Sequence, residues 1–314
     1  MTRGGAALGE KAPIEIIGAP ALSDHEFALF QRLIYEEAGI HLSQAKRALL
    51  IARLSGRLRA LKLSSFGAYY RRVTKEGDPD ELQRMLDCIS TNETHFFREP
   101  KHFEFLERKV IPVWIEEAER GARARRIRVW SAACSTGEEP FSVAMLLLHH
   151  FPASAGWSIE ILATDLSTRV LERARRAVWS IDKAHQIPTP YLKAFMLKGT
   201  GAQEGNMKAD DAIRALVRFQ QLNLNDESYA VTGRFDLIFC RNVLIYFSAE
   251  SRKRAVGRLL AHLQPDGYFF VGHAESLHGV TSEVRSVVPT VYVLGKGPRG
   301  PASTRSPGRR REGA

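Results

Sequence analysis

The chain has 314 residues, enough for two domains and too many for one small core. Hydrophobic residues make up 44% and charged residues 25%, ordinary globular values, and with no apolar run of about 18 residues direct membrane insertion is not expected. The net charge of +10 invites a nucleic-acid reading, yet Lys296, Arg299, Arg305, Arg309, Arg310 and Arg311 against Glu312 account for half of it. They lie beyond Leu294, and residues 297–314, rich in Pro, Gly, Ser and Arg, read as a disordered basic tail, so no nucleic-acid partner is expected.

Residues 1–21 lack a continuous apolar core and read as a flexible lead-in, not a signal peptide. Residues 22–90 form a helical unit. It opens on a capping box, Ser23 with Glu26, ahead of helical apolar spacing. In the second helix, AKRALLIARLSGRLRALKL, Leu50, Leu54, Leu58 and Leu61 make the buried arc, with Ile51 at one edge. Lys46, Arg53 and Arg57 line up at the other edge, a solvated face unless the partner is acidic and helical. Two more helical segments follow, split by Gly77-Asp78-Pro79. Residues 91–126 are a junction: the polar motif TNETHFFRE, then a linker helix.

From residue 127 to 296 strands alternate with helices, which predicts an α/β fold with a doubly wound, mostly parallel sheet. The stretch IRVWSAACSTGEEP reads as strand, tight loop and helix start, with Pro140 suited to the first turn. Such a loop sets a ligand against a helix N-terminus. Glu138 and Glu139 would repel phosphate there, so a cationic nucleoside such as S-adenosylmethionine fits better than a dinucleotide. An ordinary surface helix start with dipole-favoured acids is the competing reading. A second strand, Ile159 to Thr164, ends in Asp165, where ribose hydroxyls are held in doubly wound folds; Asp165 or Ser167 would cap the next helix. Val217 to Leu224 and Phe235 to Asn242 are the third and fourth strands. A helix from about Ala249 to Leu263 stops at the Pro265-Asp266-Gly267 turn signal, GYFFVG follows as a fifth strand, and Val288 to Lys296 closes as an antiparallel edge. Cys88, Cys134 and Cys240 are odd in number and lack metal spacing, which suggests a reducing cytoplasm and no metal site; Cys134 and Cys240 read as small buried hydrophobes.

TNETHFFRE, VWSAACSTGEEPFS, ATDLS, the LNL at 222–224, FDLIFCRNVLIYF and PDGYFFVGHAES occur here in one order and spacing. On these motifs the chain resembles the CheR family of chemotaxis receptor methyltransferases, over roughly residues 22–296. The resemblance implies a class I S-adenosylmethionine-dependent methyltransferase domain, an all-helical N-terminal domain for substrate recognition, and a small inserted β-subdomain at about 181–218. It implies methyl transfer from S-adenosylmethionine to glutamate side chains on the cytoplasmic helical signalling domains of bacterial chemoreceptors, giving γ-glutamyl methyl esters. A monomer is expected. The same resemblance puts Asn92, Thr94 and Arg98 at the cofactor's methionine end, Glu138 as the loop acid and Asp165 on the ribose. Asn223 and Leu224 would lie by the adenine, Arg241 and Asn242 at the end of the fourth strand, and Arg98 with Tyr246 would form the catalytic pair. Acidic coiled coils are the family's substrates, and Lys46, Arg53 and Arg57 offer a matching face. Some members grip a tethering peptide with the inserted subdomain; its middle here, KGTGAQEGNMKADDAI, is glycine-rich and acidic with weak strand signals.

The implied chemistry needs no general base, because a glutamate with a reference pKa of about 4.3 is already ionised at neutral pH. His95, His102, His149 and His150 are therefore read as structural or surface residues. A methyltransferase for nucleic-acid amines would carry an Asn/Asp-Pro-Pro-aromatic motif after the fourth strand, where this chain has RNVLIY. A non-catalytic module would be expected to lose Arg98, Asp165 or Tyr246, and all three are present.

Overall fold

The computed structural model describes residues 20–75 and 78–295. The expected tail, nearly all of the expected lead-in, and Gly77 of the expected helix break lie outside the described residues. Ser23 starts the first helix, α1 (Asp24–Ala38), through a complete capping box: its N–H donates to Glu26 Oε2 (2.8 Å) and its Oγ accepts from the Glu26 N–H (3.2 Å). Helices α2 (Arg47–Ala60), α3 (Phe66–Thr74) and α4 (Pro79–Ile89) complete the unit. Phe27, Phe30, Leu50, Leu54, Leu58, Tyr69 and Met85 are buried in its core. Leu61, expected in that arc, sits half-buried just past the end of α2, with Ser55 buried inside the helix instead.

The junction leads into α5 (Pro100–Phe105), one wide turn at Leu106–Val110, and α6 (Ile111–Glu119). Next come β1 (Arg126–Ala132), α7 (Glu138–His150), β2 (Ser158–Asp165) and α8 (Thr168–Arg176). β3 (Val178–Ser180), α9 (Thr189–Phe195), β4 (Met196–Lys198), β5 (Asn206–Ala209) and α10 (Asp211–Arg214) follow, then β6 (Val217–Gln221), β7 (Phe235–Cys240), α11 (Ala249–Ala261), β8 (Leu263–Phe270), β9 (Val284–Val288) and β10 (Val291–Leu294). The large sheet runs β6-β2-β1-β7-β8-β10-β9, parallel from β6 through β8, and its last two strands are antiparallel. This is the doubly wound, mostly parallel sheet that the alternation predicts.

Four segments differ from the sequence reading. β10 is not the edge; it lies between β8 and β9, an exposed strand that the sequence reading passes over. β8 begins at Leu263, and the turn residues Pro265 to Gly267 loop out of it, so that Phe235 pairs with Leu263 but Leu237 pairs with Tyr268. The third strand stops at Gln221, where the chain turns to present Asn223 and Leu224. The small antiparallel sheet β3-β5-β4 starts at Val178, ahead of the expected 181, and Val217 and Arg218 pair with β2 in the large sheet. Only backbone pairing separates these short strands from loop, and composition does not encode it.

Two seams fix the helical unit over the sheet. On one side Asp87 accepts from the Thr168 N–H (3.0 Å) and Thr168 Oγ1 (2.9 Å). On the other, Asn223 and Asn225 donate to the carbonyls of Glu37 (2.6 Å) and Glu36 (2.8 Å), and the His41 N–H donates to the Tyr246 carbonyl (2.8 Å). These bonds close the last turn of α1 onto the loops beyond the strands.

Candidate active site

β1 and β7 are neighbours in the sheet, and the crossover leaving β1 runs to β2 on one side while that leaving β7 runs to β8 on the other, which leaves a crevice at their carboxyl ends. Residues 133–135, Asp165 and Arg241 to Val243 form its floor, and Ala38 to Arg53 with Ile89 to Thr94 its roof. The space, counted with its open mouth, is about 1300 Å³. Phe97, Glu99, Ala133, Ser135 and Asn242 take left-handed backbone at φ 50°, 59°, 68°, 51° and 58°. Non-glycine residues in that region cluster where function fixes the chain. Gly137, at φ 95°, is needed for a second reason: a Cβ there would meet Ala174 at 3.1 Å.

Asn92, Thr94, Arg98, Asp165, Asn223, Leu224, Arg241, Asn242 and Tyr246 all line this one cleft, as do Lys46 and Arg53. Asp165 does not cap α8; Ser167 does, through the Val170 N–H. The Asp165 carboxylate accepts from the Ser135 N–H (2.8 Å) and the Ser167 N–H (2.9 Å), which ties the β1 loop to the end of β2. Burial pushes its carboxyl up even so. Asn92 is anchored by Ser135 Oγ on its carbonyl (3.0 Å), and Arg98 Nη1 donates to the Glu93 carbonyl (2.8 Å).

Two expected site residues are elsewhere. Glu138 does not line the cleft: it is fully buried, accepts from Thr136 Oγ1 (2.6 Å) and pairs with Lys183 of the inserted segment. Its neighbour Glu139 is the acid that faces the cleft, held by Ser131 Oγ (2.6 Å) with Arg241 Nη1 at 3.6 Å. Adjacent helical residues point about 100° apart, so only one of the pair can face the strands' carboxyl ends. Burial pushes the Glu139 carboxyl up, against the pull of Arg241 and Ser131. Arg57 also leaves the basic stripe. Its guanidinium grips buried Glu81 in a bidentate pair (Nε 2.9 Å, Nη2 2.5 Å) that Tyr69 OH joins at 2.8 Å. Arg53 instead reaches the Ile89 carbonyl and Thr91 Oγ1 (2.9 Å) at the cleft wall.

The sequence reading also passes over Glu99, His273 and Glu275. Glu275 accepts N–H groups of Asn242 (2.7 Å), Gly272 (2.6 Å) and Ile245 (3.2 Å), fixing the turn that presents Tyr246. Gly272 lets it pass: a Cβ would stand 2.5 Å from Asn242 Nδ2. Glu99, His102 and His273 bring three ligand-type atoms within 4.8 Å, but Arg241 Nε already stands 3.4 Å from the same carboxylate. His95, His102, His149 and His150 do not line the cleft. Cys134 does, fully buried, and its thiol is pushed well up by burial, so it stays protonated and inert.

The donor set fits S-adenosylmethionine. An ionisable acid at the end of β2 suits sugar hydroxyls, Glu139 suits an ammonium, and the Arg241 Nη1, buried without a hydrogen-bond partner, suits a carboxylate. A model described as "CheR methyltransferase, SAM binding domain" matches residues 92–293, and one described as "CheR methyltransferase, all-alpha domain" matches residues 25–90. Chemotaxis protein methyltransferase 2 of Pseudomonas aeruginosa is 40% identical over 268 residues, covering 85% of this chain and 92% of that one. The chemotaxis protein methyltransferase of Salmonella typhimurium is 38% identical over 277 residues (88% and 92%), and that of Escherichia coli 38% over 277 (88% and 93%).

Proposed function

The chain belongs to the CheR family of S-adenosylmethionine-dependent methyltransferases, and on that footing we propose that its acceptors are glutamate side chains on the cytoplasmic helical signalling domains of chemoreceptors. The observation that carries this reading is a cleft roofed by a cationic helical surface, Lys46 and Arg53, with no base needed at its centre. An acidic helix laid along α2 would bring a carboxylate to that opening. Among the described residues no helix is long and apolar enough to cross a membrane. We place the enzyme in the cytoplasm as a monomer, since its own two units close the cleft.

Bound S-adenosylmethionine supplies an electrophilic methyl group on a sulfonium. The protein's residues then hold and orient. Asp165 takes the ribose, Asn223 and Leu224 border the adenine, and Asn92, Thr94, Glu139, Arg241 and Asn242 surround the amino-acid end. Arg98, half-buried and tied to Glu93, keeps guanidinium donors for the incoming carboxylate. Tyr246 stands on a single helical turn, Leu244–Tyr246, pinned by the His41 N–H, and aims the acceptor from the other wall. Ordering of this kind can contribute about 7–11 kcal/mol in favourable cases. No proton is moved, because the acceptor carboxylate is ionised at neutral pH.

The test is methyl transfer from labelled cofactor to receptor-bearing membranes, followed by mild alkali. Volatile methanol released by base means an ester on a carboxylate. A base-stable label would overturn the glutamate reading.

A further inference from the structure

Glu99 stands behind the cleft wall, not in it. Its backbone is left-handed at φ 59°, an uncommon state for glutamate, and its side chain is 8% exposed. Oε1 accepts from the His273 N–H (2.9 Å) and from Asn242 Nδ2 (3.3 Å), so the carboxylate is fixed by two segments beyond β7 and β8. Oε2 has no hydrogen bond; it faces Arg241 Nε at 3.4 Å, His102 Nδ1 at 3.4 Å and His273 Nε2 at 3.9 Å.

Arg241 is therefore contested. Glu99 holds it at Nε, Glu139 approaches Nη1 at 3.6 Å, and Nη2 donates to the Arg98 carbonyl. Arg241 lies between the two acids and cannot pair closely with both, which leaves one carboxylate short of a close cation; Arg98 pulls on Glu139 only from further off. His102 does not supply the missing charge, because burial and Arg241 push its imidazole down to about 4 and leave it neutral. Arg241, the His273 N–H and Asn242 together outweigh burial at Glu99 and hold its carboxyl below the usual range, whereas burial pushes the Glu139 carboxyl up. The unmatched charge thus falls on the acid that faces the ligand.

We propose that Glu99 is a positioning residue for the cofactor: it draws Arg241 away from Glu139 and so keeps the Glu139 carboxylate open to the ammonium of the ligand's amino-acid chain. The inference rests on the S-adenosylmethionine reading of the cleft. Without the Glu99 charge, Arg241 is released to close on Glu139 as a bidentate pair and neutralise it.

Glu99→Gln keeps the acceptor for His273 and Asn242, removes the charge and sets an amide NH2 in place of the oxygen that faces Arg241. Calorimetric titration then compares S-adenosylhomocysteine with 5′-methylthioadenosine, which keeps the nucleoside and sulfur but has no amino-acid chain. S-adenosylhomocysteine should bind about tenfold more weakly, while methylthioadenosine stays within about twofold of wild type. Glu99→Asp, with its charge one methylene further back, should show the same selective loss at about threefold, and serves if the glutamine variant does not fold. A general structural defect would weaken both ligands alike. Equal losses for the two ligands, or no loss for either, in whichever variant folds, overturn the proposal. A wild-type protein that binds neither ligand would refute the cofactor reading itself and this proposal with it.

Discussion

The two adjacent glutamates at the start of α7 should separate binding from stability. Glu138 is fully buried, and its partner Lys183 keeps a third of its side chain in solvent. Glu138→Gln keeps the bond to Thr136 and loses a charge-assisted contact, a class worth about 1.5–3 kcal/mol. Lys183 can turn to water, which puts the cost near the lower end. For a domain of this size that is a fall of roughly 3–6 °C in melting temperature. Glu139→Gln keeps the Ser131 bond and removes a carboxylate that burial already disfavours, so the free protein should melt at or above the wild-type temperature. Its loss appears on binding: without a charge for the ammonium, S-adenosylhomocysteine should bind roughly ten- to a hundredfold more weakly. Calorimetric titration and scanning calorimetry on the same samples read both effects. A tenfold binding defect in Glu138→Gln alongside normal binding in Glu139→Gln would show that the cleft-facing acid is misassigned.

Arg57→Ala strands Glu81, whose side chain is 1% exposed, with only Tyr69 and the loose Arg84 contact at 3.5 Å, and should cost about 3–5 kcal/mol in denaturant unfolding. Arg53→Ala should lower receptor methylation with cofactor affinity intact, and an equal unfolding penalty in both variants would argue against that division. Cofactor affinity should fall as pH drops through the raised Glu139 value, at a higher pH than for an exposed glutamate near about 4.3. The sign follows from linkage: the ammonium favours ionised Glu139, so binding lowers its pKa and is fully expressed above the free-state value. Arg241, Arg98 and Glu99 face the same carboxylate, and titration of affinity from roughly pH 4 to 8 checks the direction. Tyr246→Phe should slow single-turnover methyl transfer at saturating cofactor with S-adenosylhomocysteine affinity nearly unchanged; a wild-type rate would return Tyr246 to a packing role.

The parallel core was legible because its strands are continuous apolar runs, as in Phe235–Cys240, buried at every position. The Ser23 box was legible because capping is chemistry within four residues. The failures share a different cause. Glu138 and Glu139 are both acids at a helix start, and which one faces the ligand depends on helix phase relative to β1, a tertiary quantity. Arg57 looked like one step of a solvated stripe; its partner, Glu81, is 24 residues away on another helix. β9 reads Val-Arg-Ser-Val-Val with four exposed residues, so no apolar face marks it as a strand. Glu99 gave no signal beyond its place in a dense polar motif, because its importance lies in what it does to Arg241.

These placements also bear on rate. Transfer of a methyl group from a sulfonium to a carboxylate joins a cation and an anion, so charge falls on the way to the transition state. A site that stabilised both reactants electrostatically at the reacting centre would slow the reaction. On the proposed reading, the fixed charges other than Arg98 sit at the ends of the cofactor instead. Asp165 is at the ribose, and Glu139, with Arg241 held back by Glu99, is at the amino-acid chain. Interactions there are the same before and during transfer, so they set affinity and leave the barrier alone. Arg98 and Tyr246 are the residues left to act on the barrier, by orientation. The variants should divide accordingly: changes at Asp165, Glu139 and Glu99 should move the dissociation constant, and change at Tyr246 should move the rate. Arg98, which touches the amino-acid end and the acceptor, should move both.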